Sequence, residues 1–304
     1  MMYKIWYLIL VMSLLAGCAN DDETLTATEE PEFRYTLPQG NHDYDEEIVK
    51  WYEECGFYIL YRFEPKDVYW NCSGWYGYRK NNANLGDGHI IEQADEDYVG
   101  EQLTLLKKIF FNLYPKELLK NVMPLKLLLC SRITLDNSQS LREKLIFNGF
   151  DCLAVNYGND QVGQLSASEK RKLAEELLDY ILTRVNEVGL VSRDEFAAVS
   201  KNYYNTYVDP NTCYQRGFLG PRGWELPVDW SEYVKMIVNT PYDVLVSEPA
   251  GSSYNWMEEE YFGVLHPKKD VNGLIRQKYD LVLNGFKAIG VDLNRIGEII
   301  SSIE

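Results

Sequence analysis

The chain has 304 residues, 46% of them hydrophobic and 25% charged, ordinary globular proportions that exclude wholesale disorder and a polytopic membrane protein. Its 46 acidic against 30 basic residues give a formal charge of -16, which leaves no electrostatic footprint for a nucleic-acid backbone. Of the three histidines, His42, His89 and His266, none lies within a helical turn of another, so no local imidazole pair is available to a metal ion.

Lys4 precedes the apolar run Ile5 to Leu15, shorter than the ~20 residues a spanning helix needs, so residues 1–17 read as a secretory signal peptide. Its end, Leu15-Ala16-Gly17-Cys18, looks like a bacterial lipobox, which makes Cys18 the lipidated first residue of the mature protein. Ala19 in place of an aspartate favours the outer membrane, and Asn20-Asp21-Asp22-Glu23 resembles the acidic stretch that sends some lipoproteins to the cell surface. Any solvated linker would look the same. Residues 18–40, with Thr, Glu, Asp and Pro and no apolar period, form the lipidated cysteine and its flexible tether. Five further cysteines, Cys55, Cys72, Cys130, Cys152 and Cys213, fit no CxxC or zinc-ribbon spacing, and no disulfide framework is expected.

The body, residues 41–304, reads as one domain of α+β class. Asp45 to Glu54 suggests a short helix, and Phe57 to Phe63 a strand. Residues 66–95 are aromatic and irregular; an amphipathic helix runs from Glu96 to about Leu113, with a short second piece before Pro124. Leu125 to Cys130 and Cys152 to Tyr157 are the next strands. Ser166-Ala167-Ser168-Glu169 spells a capping box that opens a long helix to about Val188, stopped by Gly189. Further helices are expected at 192–204, 228–238, 270–287 and 292–302, with a loop-rich stretch at 205–227. Along the long helix, Leu173, Leu177, Leu178, Ile181, Val185 and Val188 share an apolar arc while Glu175, Glu176 and Asp179 stand on the other side. The arc should pack on a sheet containing 57–63, 125–130 and 152–157.

With these segments in view, the chain resembles the substrate-import-associated zinc metallohydrolase lipoproteins, also described as zinc-binding metallopeptidases. The resemblance rests on Tyr61-Arg62-Phe63, Leu125-Lys126-Leu127-Leu128-Leu129, the Phe196 to Tyr204 segment, Arg216-Gly217-Phe218-Leu219, residues 228–233, Lys278-Tyr279 and Val291-Asp292-Leu293. It implies a zincin-like metallopeptidase fold, helix-rich with a small mixed sheet. In such proteins HExxH sets two His on one helical face with a general-base Glu between them, and a later helix supplies a third ligand. Here the motif position reads Glu175-Glu176-Leu177-Leu178-Asp179, and the third-ligand position is Val228. Only the general-base position, Glu176, and the supporting acids Asp229 and Glu232 are kept in kind. The resemblance therefore implies a protein that has lost zinc and catalysis, uses no cofactor, and serves nutrient import beside an outer-membrane complex by binding a peptide, glycan or protein partner.

Alternatives remain: a hydrolase with non-standard zinc ligands, or a glycan-binding lipoprotein of the same apparatus. The plainer account of Glu175, Glu176 and Asp179 is a solvated acidic helix face, preferred to a site for a hard cation. Asp229 and Glu232 also complement the dipole of a helix start. Trp70, Trp75, Tyr76 and Tyr78 crowd an irregular segment where exposed rings would stack on a ligand; the preferred account is that they cover a thin core.

Overall fold

The structure, a computed structural model, describes residues 35–71, 74–75, 88–137, 140–221 and 225–304. Cys18, Tyr76 and Tyr78 lie outside these residues, and Trp75 is described in its backbone alone.

The organising element is one long strand. β5 (Lys126–Asn137) runs parallel to β1 (Tyr58–Leu60) on one side and to β8 (Cys152–Val155) on the other through its first half. Its second half pairs antiparallel with β4 (Gly88–Gln93) and β6 (Ser140–Glu143), and β7 (Ile146–Asn148) closes the far side antiparallel to β8. The result is a six-stranded mixed open sheet. Leu127, Leu128, Leu129 and Cys130 are fully buried, as expected of a strand covered on both faces. The sequence reading ended this strand at Cys130. It continues because β4 and β6 supply ladder partners to its later half, where Ile133 and Thr134 are buried and Arg132 is exposed. Lys126 opens the strand with its side chain buried, anchored 2.8 Å from the Asp151 carboxylate and 2.7 Å from the Asp67 carbonyl.

Among the described residues ten α-helices surround the sheet: α1 (Asp45–Cys55), α2 (Pro65–Tyr69), α3 (Val99–Ile109), α4 (Lys116–Val122), α5 (Ala167–Val188), α6 (Asp194–Val199), α7 (Leu226–Asn239), α8 (Tyr242–Val246), α9 (Leu274–Ala288) and α10 (Leu293–Ser301). A small hairpin pairs β2 (Trp70–Asn71) with β3 (Gly74–Trp75). The architecture is α+β. The capping box forms as spelled: Ser166 Oγ accepts from the Glu169 backbone N–H, while the Glu169 carboxylate accepts from the Ser166 N–H at 2.8 Å. Gly189 ends α5 at φ 73°, a left-handed conformation that costs glycine little. Leu173, Leu177 and Ile181 are buried in the same core as Leu127, Leu129, Leu153 and Val155.

One expected helix needs correction. The helix expected over 192–204 is only α6, because Ser200 turns its hydroxyl onto the Arg216 carbonyl at 2.6 Å and Asn205 takes a left-handed φ of 59°. His89 is half-buried with its ring 4.7 Å from that of Phe147. The four described cysteines, Cys55, Cys130, Cys152 and Cys213, are buried free thiols. Among the described residues no helix is long and apolar enough to cross a membrane.

Candidate functional site

α5 and α7 flank a groove of 640 Å³. Its α5 wall is Glu175, Leu178, Asp179 and Leu182; its α7 wall is Pro227, Trp230, Ser231, Val234 and Val238, with Arg193 and Lys235 also lining it. The periodicities explain this. Positions 175, 178, 179 and 182 recur at three- and four-residue steps, as do 227, 230, 231, 234 and 238, so each set forms one face of its helix. Glu175 and Asp179 thus look toward α7 across an apolar floor, and both are exposed.

The other residues singled out by sequence do not join them. Val228 is 38% exposed and lies outside the groove lining. Glu176 is half-buried, and burial raises its carboxyl above the ordinary carboxylate range while Lys144 pulls part of that shift back. Glu232 lies on the opposite side of α7, where it accepts a hydrogen bond from the Tyr261 hydroxyl at 2.8 Å. Trp70 is partly exposed and meets Phe150 edge-on at 5.8 Å.

Asp229 has the least expected surroundings. It is 1% exposed, and its Oδ2 accepts from Lys278 Nζ at 2.6 Å and from the Tyr204 hydroxyl at 2.6 Å. Lys278 is itself fully buried; its ammonium also donates to the Gly217 carbonyl at 2.9 Å and sits over the rings of Phe218 and Phe196, 4.6 and 4.7 Å from their centroids. The rings of Tyr204 and Tyr233 complete the enclosure at 5.4 and 5.5 Å. Cation–π attraction and two oxygen acceptors replace the water the ammonium gives up. Burial pushes the Asp229 carboxyl up to about 6, against the pull of Lys278, and burial lowers the Lys278 ammonium from its ordinary value. Sequence reading missed this cluster, which gathers Phe196 to Tyr204, Arg216 to Leu219, residues 228–233 and Lys278-Tyr279 from four separate segments with no local signal linking them.

The donor set does not fit zinc. Glu175 and Asp179 offer carboxylates without an imidazole, Val228 offers no donor, and Asp229 is committed to Lys278. Among the described residues no three His, Cys, Asp or Glu side chains converge closely enough to hold a metal ion.

No family model matches the chain, and no curated protein does. Among solved structures it is similar to one described as a "putative zinc-binding metallo-peptidase" from Bacteroides caccae, with 12% identity, 87% of this chain and 94% of that chain covered, and a TM-score of 0.44.

Proposed function

We propose that the chain is a lipid-anchored accessory protein of the outer membrane whose zincin-like body binds a ligand and does not cut it. The observation that carries this reading is the α5–α7 groove, in which the positions matching a metallopeptidase's histidines, Glu175 and Asp179, edge a floor of Leu178, Leu182, Trp230, Val234 and Val238. Such a lining suits the apolar side chains of an extended peptide or of a protein partner, with the charged rim setting orientation. Lipidation at Cys18 and the tether to residue 40 would give the body reach from the membrane toward an import complex. A glycan remains the second reading, supported by the partly exposed Trp70 beside the exposed ring of Phe150.

Four measurements test the proposal together. The purified protein should contain no stoichiometric zinc and show no chelator-sensitive peptide hydrolysis. Peptide binding should be lost in Ser231→Trp, which fills the groove from an exposed position, and Cys18→Ala should release the protein from membranes. About one zinc per chain, with hydrolysis abolished by Glu176→Gln, would restore the peptidase.

A further inference from the structure

On the face of α7 turned away from the groove, a second cavity of 220 Å³ lies between the first turns of that helix and the segment Tyr254–Tyr261. Its wall is rich in carboxylates: Asp229 and Glu232 from the helix, and Glu258, Glu259 and Glu260 from the segment. Three lysines oppose them, Lys235 standing 3.9 Å from Glu232. Lys278 holds Asp229 from behind, and Lys269 lies 2.5 Å from Glu258 while also donating to the Phe262 carbonyl. Lys278 and Lys269 are buried and engaged, Lys235 is exposed, and five carboxylates against three ammonium groups leave the cavity an excess of negative charge.

A second observation points the same way. With Oδ2 of Asp229 committed to Lys278 and Tyr204, its Oδ1 is buried and has no hydrogen-bond partner. A carboxylate oxygen in that condition is a strong acceptor waiting for a donor, because leaving it unmatched forfeits the hydration it had in the unfolded chain. Tyr261, whose hydroxyl fixes Glu232, holds a left-handed φ of 62° that is uncommon for a residue with a side chain. Tyr254 and Trp256 add aromatic walls, their rings edge-to-face at 4.7 Å.

The chemistry of the ligand follows from what these groups share. A compact metal ion is not served, since no three of the described acids converge on one point. A neutral sugar would leave the negative charge unbalanced. An alkylammonium group meets both conditions: it brings three N–H donors to carboxylates spread around it and a positive charge to ring faces. We propose that the cavity between the start of α7 and Tyr254–Tyr261 binds a primary ammonium group, with Glu232 as its principal carboxylate and Trp256 as its aromatic wall. A lysyl side chain, an amino sugar and a small diamine all carry that group.

Titration calorimetry of the mature protein with Nα-acetyl-lysine methylamide, glucosamine and 1,4-diaminobutane separates these sources, with N-acetylglucosamine and 1,4-butanediol as uncharged counterparts. At least one amine should bind saturably and its uncharged counterpart should not. Glu232→Gln should weaken that binding about tenfold or more, as loss of a charge-assisted hydrogen bond does. Should that variant melt abnormally, the exposed pair Glu259→Gln/Glu260→Gln takes its place, with a smaller loss expected. Ser231→Trp should leave amine binding unchanged, which keeps this cavity distinct from the groove. Failure of every amine to saturate at millimolar concentration, equal binding of charged and uncharged compounds, or full binding by the neutralised variants would overturn the proposal.

Discussion

Glu175 and Asp179 on α5 and Asp229 on α7 enter the sequence argument together, as acids around a lost metal position, yet the structure gives them opposite environments. The α5 pair stands exposed at the rim of a groove and, among the described residues, forms no ion pair. Asp229 is buried with Lys278 against it, and the Lys278 ammonium lies over four aromatic rings. Spacing tells which residues share a helical face; it does not tell what will be packed on that face. Burial decides whether a carboxylate belongs to the surface or to the framework.

The largest expected effect comes from breaking the buried member of this comparison. Lys278→Met leaves the Asp229 carboxylate uncompensated, and denaturant unfolding should show a loss of about 3–5 kcal/mol. Adding Asp229→Asn should recover part of that loss, since the pair is then removed and not merely broken. A single-variant cost below ~1 kcal/mol would mean that Asp229 is already neutral and that the framework role assigned here is wrong.

That cluster also marks where sequence reading reaches its limit. The long helix was legible because Ser166, Glu169 and Gly189 encode its ends locally, and the strands because Leu127 to Cys130 and Cys152 to Val155 are continuous apolar runs. Helical period put Glu175 and Asp179 on one face of α5; that α7 would lie across from them did not follow from spacing. Nor did the Asp229–Lys278 pair, because its two partners lie 49 residues apart and nothing local in either segment requires the other. Helix α2 and strands β4, β6 and β7 went unread for another reason: they lie in or beside polar, irregular stretches, and their burial comes from neighbours across the sheet.

The next effect tests the frame that presents both faces of α7. Gly297 in α10 lies so close to the C-terminal turn of α7 that a methyl group there would collide with the Val238 carbonyl. Gly297→Ala should therefore destabilise by about 1–3 kcal/mol, as overpacking does, although alanine is the better helix former. Since Val238 also lines the groove, ligand binding there should weaken in the same variant. A stabilised Gly297→Ala protein would show that the two helices can part without cost. Smaller again is the loss of the α5 cap: Ser166→Ala should cost about 1 kcal/mol in thermal or denaturant unfolding. That loss should leave the Lys278 cluster untouched, so the two changes should add.

The smallest effect concerns the exposed member of the comparison and has the opposite sign. Glu175 and Asp179 stand four residues apart on one helix, where like charges repel by roughly 0.2–0.5 kcal/mol when no cation intervenes. Each can turn its charge to water, so neither bears the burial cost that makes Asp229 depend on Lys278. Glu175→Gln/Asp179→Asn should therefore leave stability unchanged or raise it by a few tenths of a kcal/mol at low salt. The gain should fade as added salt screens the pair in the parent protein. Stability curves of parent and variant at two ionic strengths measure this directly. A clear loss of stability in the variant would require a favourable partner for the two carboxylates, and would move them from the solvated rim to the same class as Asp229.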